Sequence, residues 1–190
     1  MSAVPKIEAV LTPEEYIAGE LLSQVRHEYV DGRVYAMAGA SVNHNFIAGN
    51  FFTALSNHLH GKKCAPFMND MKVRIPYLSD ELYYYPDVMV NCDAAGQHRY
   101  FCETPALIVE VLSPDTQGTD RREKLIAYGG IPNLHTYILA EQERREITVY
   151  HRLPQGWEKT ILTGTDTLTV AELEFSTTLD AIYARTGLEA

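Results

Sequence analysis

The chain has 190 residues, of which 46% are hydrophobic and 22% are charged, and its formal net charge is −9. This balance is typical of one globular domain with a sizeable core and excludes a disordered or fibrous chain. The negative charge argues against a surface for general phosphate binding, and no apolar run approaches the ~20 residues of a membrane span. We therefore expect a single domain over residues 1–190, with its core at about 12–165, a cytoplasmic location and no membrane partner.

The three cysteines are Cys64, Cys92 and Cys102. Their number is odd and their spacing matches no zinc site. Reduced, mostly buried thiols are therefore expected, in preference to a redox or metal role.

The N-terminal part of the chain predicts a short helix followed by a hairpin. Thr12 and Glu15 have the spacing of a capping box, which predicts a helix that ends at about Glu20. Further on, Asp31-Gly32 stands between two strand-like segments, and this dipeptide permits the positive backbone angles of a two-residue hairpin. Glu28 lies on the first strand of that hairpin.

A long amphipathic helix is predicted from Ser41 to His60. Its apolar residues recur at helical spacing, Ser41 or Asn43 can cap it, and Gly61 can end it. His44 then lies in its first turn.

Several strands follow, and one of them begins at an acid. Strands are favoured near 63–67 and 72–75, and a looser acidic link at 79–81 leads to the tyrosines at 83–85. Pro86-Asp87 ends the tyrosine run and opens the apolar stretch Val88–Val90, so Asp87 lies at the mouth of a buried strand.

A second buried strand, Ala106–Leu112, carries one acid among six apolar residues. Burying Glu110 in such a run is costly unless the carboxylate is paired or bound. In the helical segment that follows, Asp120, Lys124 and Tyr128 recur every four residues and so share one face.

The remaining segments complete a mixed α/β fold. Strands are predicted at 135–139, 147–150 and 157–162, with a charged, solvated turn at 141–146 and a closing helix near 179–183. The helix that carries Lys124 is long enough to connect two parallel strands, which would bring Lys124 close to Glu110. We predict a central mixed β-sheet flanked by helices.

Two carboxylates and a lysine at one point suit phosphodiester chemistry. Asp87 and Glu110 would repel each other strongly unless a cation lies between them. Oxygen-only ligation favours a hard ion, Mg²⁺ or Mn²⁺, which holds a phosphate oxygen and lowers the pKa of a bound water. Lys124 would add a positive charge that orients the water or stabilises the pentavalent phosphate.

Each candidate residue also has a structural interpretation that the sequence leaves open. These interpretations are a turn for Asp87, a solvated helix position or an ion pair with Asp120 for Lys124, core packing for Tyr128, a partner at Arg26 or Arg33 for Glu28, and a loop carbonyl for His44.

The sequence around these residues resembles the PD-(D/E)XK superfamily of restriction-endonuclease-like proteins and, more narrowly, the bacterial Uma-two family of endonucleases. The resemblance extends from about Thr12 to the Trp157 strand. The segments that carry it are Glu28–Gly32, His44, Tyr85–Val90, Pro105–Pro114, Asp120, Lys124, Tyr128 and Gly130–Pro132.

The resemblance implies a metal site and a catalytic lysine. Asp87 and Glu110 would be metal ligands, with the Val111 backbone carbonyl as a third. The superfamily pattern has a lysine two residues after the second acid, where this chain has Leu112, and the lysine that the family takes from the following helix corresponds to Lys124. The residues expected to line the site are Glu28, His44, Asp120 and Tyr128.

The expected function is cleavage of nucleic acid, DNA rather than RNA, by a Mg²⁺- or Mn²⁺-dependent endonuclease that acts as a homodimer. The alternative is a nuclease-like fold that has lost turnover and binds nucleic acid or protein, which Leu112 and the net charge favour. A third class, a carboxylate-pair hydrolase of the glycosidase kind, has no place for Lys124.

Overall fold

A computed structural model describes residues 10–37, 39–77, 80–113 and 120–189, and of Tyr77, Asp80 and Asp120 the backbone alone. The helices are α1 (Pro13–Glu20), α2 (Val42–Leu59), α3 (Leu125–Gly129) and α4 (Leu179–Ile182). The strands are β1 (His27–Val30), β2 (Arg33–Ala36), β3 (Ala65–Met68), β4 (Lys72–Tyr77), β5 (Asp80–Tyr84), β6 (Val88–Asn91), β7 (Phe101–Cys102), β8 (Pro105–Leu112), β9 (Thr136–Glu141), β10 (Glu146–Leu153), β11 (Gly156–Thr163), β12 (Thr167–Val170) and β13 (Phe175–Thr178). Within the described ranges, no helix is long and apolar enough to cross a membrane.

Two β-sheets share one core. The larger has the strand order β11-β10-β9-β8-β6-β3, in which β8 and β9 are parallel and the other neighbours antiparallel. The smaller has the order β2-β1-β5-β4-β7. Strands β12 and β13 form a separate hairpin that the sequence analysis does not predict. Buried side chains of both sheets and of α3 pack in one cluster. The predicted mixed α/β class is confirmed, with two sheets in place of one.

The N-terminal helix and hairpin form as predicted. The Glu15 amide donates to the Thr12 hydroxyl at 3.2 Å, and the Thr12 amide donates to the Glu15 carboxylate at 2.9 Å. Asp31 and Gly32 have φ angles of 51° and 76°, both in the left-handed region that a two-residue hairpin turn requires. The turn therefore fixes the register of β1 against β2.

The long helix α2 packs one face on the larger sheet. Ser41 is its cap, because the His44 amide donates to the Ser41 hydroxyl at 3.1 Å. Ile47, Phe51 and Leu55 recur every fourth residue and are fully buried among the apolar side chains of β6 and β8. The amphipathic pattern thus predicted both the helix and the face that it buries.

Two residues of the tyrosine run, Tyr83 and Tyr84, belong to strand β5 of the smaller sheet, which the sequence did not predict. Tyr83 and Tyr84 end β5, and the chain then crosses to β6 of the larger sheet. The acidic link is likewise part of β5, where Glu81 forms an ion pair with Arg74 of β4. Ser79, in that predicted link, lies outside the described residues.

The helix after β8 starts with a wider turn than predicted. Asp120–Lys124 is π-helical, with backbone hydrogen bonds five residues apart, and α3 continues from it. Lys124 and Tyr128 share one face as predicted, because both contact Glu110, whereas the Asp120 side chain lies outside the described residues. The helix ends at Gly129, and Gly130 is its C-cap.

The charged turn after β9 is not simply solvated. Glu141 ends β9, is 7% exposed, and forms ion pairs with Arg121 and Arg144. Gln142 is buried too, and its side chain accepts a hydrogen bond from Ser41 at the start of α2. The prediction of a solvated hairpin end is therefore wrong for the first two residues of this turn.

Cys64 and Cys92 form a disulfide, so the expectation of three reduced thiols is wrong for this pair. The two cysteines flank Ala65 and Asn91, which are partners at the end of the β3–β6 ladder, and the pairing brings them side by side. Cys102 is a free, buried thiol, and burial raises its pKa to about 11.

Candidate active site

Asp87 lies at the end of the larger sheet, beside the strand that carries Glu110. It directly precedes β6, which pairs with β8. The Val111 amide donates a hydrogen bond to Asp87 Oδ2 at 2.7 Å, and His44 Nε2 lies 3.2 Å from the same oxygen. One strand amide and one side chain from the first turn of α2 therefore fix this carboxylate.

Glu110 is a buried acid with donors around it. It is 4% exposed, and Ile108 and Leu112, on the same face of β8, pack in the core between the sheets. Glu110 Oε1 accepts hydrogen bonds from the Tyr128 hydroxyl at 2.7 Å and from Lys124 Nζ at 3.1 Å. These contacts offset the cost of burying the carboxylate.

Lys124 lies between two acids. Its Nζ is 3.0 Å from Glu28 Oε1 and 3.1 Å from Glu110 Oε1. The ammonium also stands over the Tyr84 ring, 5.2 Å from its centroid. The lysine that follows β8 therefore reaches back to both carboxylates.

Two tyrosines beside these charges stay protonated. Tyr128 is fully buried, and burial together with the negative charge of Glu110 raises its pKa well above the ordinary value. Burial, with the charge of Glu28, raises the pKa of Tyr84 to about 12. Both phenols are therefore neutral at physiological pH, and Tyr128 donates to Glu110.

Two of the structural interpretations are wrong. Lys124 is not a solvated helix residue, because it is only 5% exposed. Among the described residues, Glu28 forms its ion pair with Lys124 and not with Arg26 or Arg33, and Arg26 instead pairs with Asp70.

The predicted residues form two groups that meet on β8. The first group is Glu28, Glu110, Lys124 and Tyr128, and the second is Asp87, His44 and Val111. Because Glu110 and Val111 are consecutive, the groups lie side by side at one end of that strand. The Asp120 side chain lies outside the described residues, so its place in the site stays a prediction.

Sequence reasoning missed two contacts from the smaller sheet. Tyr84 places its ring under the Lys124 ammonium, and the Tyr85 amide donates to Glu28 Oε1 at 3.5 Å. The sequence signal that could have revealed the Tyr84 contact is the alternation of side chains between the two faces of β5. Leu82 and Tyr84, two residues apart, both point into the core between the sheets.

The donor set fits a hard cation. Among the described residues, no three His, Cys, Asp or Glu side chains lie close enough to hold an ion by themselves. The predicted set needs only two, Asp87 and Glu110, together with a backbone carbonyl. These are oxygen donors, which Mg²⁺ and Mn²⁺ prefer and zinc does not.

The register of β8 bears on the predicted role of the Val111 carbonyl. The amide and carbonyl of one strand residue point to the same side, and the Val111 amide points to Asp87. If the β6–β8 register is continued beyond Val88, Pro86 stands opposite Val111. Since proline has no amide hydrogen, Pro86 cannot donate to the Val111 carbonyl.

Comparison with known proteins decides the family. The model of the Uma2 family, described as "Putative restriction endonuclease", matches residues 13–181. The chain belongs to the Uma2 family. This is the Uma-two family that the sequence motifs resemble, and the matched region contains every residue of the candidate site.

Two relatives from Synechocystis sp. match almost end to end. "Uncharacterized protein slr1290" is 37% identical over 175 residues, which are 91% of this chain and 91% of that protein. "Uncharacterized protein sll1609" is 32% identical over 171 residues, which are 88% of this chain and 93% of that protein.

A solved structure shares the Uma2 chain's fold. A crystal structure described as "a putative nuclease belonging to DUF820" from Anabaena variabilis superposes with a TM-score of 0.73. The superposition covers 93% of this chain and 99% of that one, at 15% sequence identity. At this identity the likeness shows the fold alone.

Proposed function

We propose that this Uma2 protein is a metal-dependent endonuclease that hydrolyses phosphodiester bonds of nucleic acid, with DNA preferred to RNA. The observation that carries the proposal is the hydrogen bond from the Val111 amide to Asp87, which joins that carboxylate to the residue next to Glu110 on β8. The family description as a restriction endonuclease, and the nuclease description of the solved neighbour, support the same reaction.

The charges of the site favour a divalent cation. Glu28 and Glu110 share the single ammonium of Lys124, and Asp87 is bound to the amide of Val111, the residue next to Glu110. An excess of negative charge in a largely buried site is unfavourable and is relieved by a cation. Asp87, Glu110 and the Val111 carbonyl would hold Mg²⁺ or Mn²⁺. When bound, the ion would polarise a phosphate oxygen and lower the pKa of a water molecule.

The chain's own residues orient the site and supply its positive charge. Lys124 is held between Glu28 and Glu110, so its charge is already in place where negative charge builds up on the phosphate. Tyr128 orients Glu110 by donating to it. The helix lysine thus replaces the strand lysine of the superfamily, whose position is Leu112.

The test is cleavage of supercoiled plasmid with Mn²⁺ and with EDTA. Asp87→Asn, Glu110→Gln and Lys124→Ala should each lower the Mn²⁺-dependent rate by about 100-fold or more, because each removes a preorganised charge. Glu143→Gln, an exposed acid in the turn between β9 and β10, is the matched control and should cleave like the wild type. Equal nicking by wild type and Lys124→Ala would assign the activity to a contaminant and contradict the proposal.

Metal binding is tested separately from turnover. Mn²⁺ should raise the Tm of the wild type and leave that of Asp87→Ala unchanged, since ligands that bind only the folded state stabilise it. If Mn²⁺ stabilises neither protein, the proposed metal site is wrong. Binding without cleavage would favour the alternative of a nuclease-like module that lacks turnover.

The same proposal includes a homodimer. Strand β11 is an edge of the larger sheet, and its apolar Ile161 is 51% exposed. Two copies can pair through such an edge, which would place two sites on one duplex. Light scattering should give twice the mass of the chain for the wild type and the single mass for Ile161→Asp. A monomeric wild type contradicts this part of the proposal.

A further inference from the structure

The edge strand of the smaller sheet exposes residues that neither the fold nor the proposed chemistry uses. Strand β2 ends that sheet, and all four of its residues are exposed. Tyr35 is a large aromatic residue that is 51% exposed. In the part of the chain that the structure describes, Arg33 has no ion pair and Tyr35 has no ring contact. The fold therefore does not account for these two side chains.

The hairpin register places both side chains on the side of the candidate active site. Tyr35 is the partner of Glu28, whose carboxylate contacts Lys124 at 3.0 Å. Side chains of directly opposite residues stand on the same face of a sheet, with Cβ atoms about 5 Å apart. Arg33 is the partner of Val30, two residues from Glu28, and so stands on this face as well. The exposed ring and guanidinium therefore stand on the face of the hairpin that carries Glu28, which we take as the mouth of the site.

Arg33 and Tyr35 form a row of exposed side chains, and Arg26 extends this row at the end nearer to Tyr35. The Met37 amide, two residues beyond Tyr35, donates to the Arg26 carbonyl at 2.9 Å, which continues the hairpin pairing. The Arg26 side chain is 45% exposed and pairs with Asp70, which is 84% exposed. An ion pair this exposed contributes little, so a phosphate can compete for Arg26.

The row has the composition of a site for single-stranded nucleic acid. Alternate residues on one face of a strand are about 6.8 Å apart, and an aromatic ring here stands between two arginines along the hairpin. Successive bases of a single strand stack on aromatic side chains while basic side chains contact the backbone. On a chain with a net charge of −9, these two arginines supply a local positive charge.

We propose that Tyr35 stacks on an unpaired base next to the phosphate that is cleaved, and that Arg33 and Arg26 contact the phosphates on either side. The inference rests on the proposed nuclease function, because that function places the nucleic acid at this mouth. A base inside an intact duplex cannot stack on Tyr35. The substrate is therefore a strand that is unpaired beside the cleaved phosphate, as in a free single strand, in a gap, flap or loop of a duplex, or in a locally melted region of a supercoiled plasmid, and it is bound with little sequence preference.

The test is a binding titration with a fluorescein-labelled oligothymidine of about 16 nucleotides. Binding is measured as the fluorescence anisotropy of the label, in EDTA so that no cleavage occurs. Tyr35→Ala should weaken binding by about 5- to 150-fold, the loss expected for one stacked base. Tyr35→Phe keeps the ring and should bind like the wild type. Arg33→Ala should weaken binding and reduce the dependence of log K on log salt by about 1.

Val34→Ala is the matched control. Val34 lies on the same strand, faces the opposite side of the sheet and is 43% exposed. It should leave affinity unchanged, and urea unfolding of Val34→Ala and Tyr35→Ala should show equally intact folds. A loss of affinity in both variants would indicate damage to the hairpin and overturn the assignment to Tyr35.

Three results overturn the inference. The first is that Tyr35→Ala binds oligothymidine with the affinity of the wild type. The second is that the wild type binds an intact duplex more tightly than oligothymidine. The third is that Tyr35→Ala changes from dimer to monomer with its affinity unchanged, which would make this face a protein interface. None of these results affects Mn²⁺-dependent plasmid cleavage, which depends on Asp87 and Glu110. The inference and the proposed function therefore fail separately.

Discussion

At the residue scale, the ammonium of Lys124 forms ion pairs with two carboxylates. Lys124 is 5% exposed and contacts both Glu28 and Glu110 at about hydrogen-bond distance, 3.0 and 3.1 Å. An intact buried ion pair adds little net stability, but removing one partner leaves a buried charge without compensation. Lys124 is therefore needed for the assembly of the site as well as for the proposed reaction.

Lys124→Met should lower the free energy of unfolding by about 3–5 kcal/mol, because it leaves Glu110 and Glu28 buried without their shared cation. Adding Glu110→Gln should recover part of this loss of stability, because it removes one of the two carboxylate charges that Lys124→Met leaves without a cation. The measurement is urea unfolding of the two single variants and the double variant. Additive losses would show that Lys124 and Glu110 do not interact energetically.

At the scale of elements, α3 is held by contacts at its ends. Five residues are too few for a stable helix in isolation. Arg152 of β10 donates to the carbonyl of Gly129 at 3.1 Å and to that of Ile131 at 3.0 Å, and its guanidinium stands 4.4 Å from the centroid of the Trp157 ring. This arginine binds the carbonyls at the end of the short helix that follows Lys124.

Arg152→Lys should lower the free energy of unfolding by about 1–3 kcal/mol, because an ammonium cannot reach several carbonyls and stack on Trp157 at the same time. It should also slow cleavage, since α3 then holds Lys124 less firmly. Urea unfolding and the plasmid assay measure the two effects. Arg99→Lys is the control, because Arg99 also stacks on an aromatic ring but is exposed. Equal stability of wild type and Arg152→Lys would contradict this account of α3.

At this scale, the sequence could predict contacts between residues that are close together along the chain. The capping box of α1 and the turn at Asp31-Gly32 involve neighbours, and both were predicted. The assignment of Tyr84 to a strand of another sheet depends on pairing with β4 and β1, which no local pattern specifies. The place of Lys124 followed from its helical spacing to Tyr128, but the π-helical turn before it did not.

At the scale of the whole molecule, buried tyrosines connect the sheets. Tyr16, Tyr29 and Tyr83 pack together beside α1, while Tyr128 and Tyr137 pack in the core between the sheets. Composition shows that the chain is rich in tyrosine but not which rings are buried together. The disulfide was missed for the same reason, because Cys64 and Cys92 are brought together only by the β3–β6 pairing.

The buried phenols predict unfolding at alkaline pH. Burial raises the pKa of Tyr84 to about 12, and raises those of Tyr16 and Tyr128 as well. A raised pKa means that the folded state holds the proton more tightly, so the stabilisation is complete below the unfolded value of ~10 and is lost as pH rises through the folded value. Circular dichroism and tyrosinate absorbance should therefore change together above pH ~10. Full tyrosinate absorbance at that pH with an intact fold would contradict the prediction.

The contact of Lys124 with Glu28 and Glu110 also bears on what a chelator does to this protein. In a zinc finger the ion is part of the fold, and stripping it unfolds the chain. Here an amine of the chain itself already balances part of the acidity, so the architecture is complete beforehand. EDTA should consequently act as a reversible inhibitor and not as a denaturant, with turnover returning when the ion is restored.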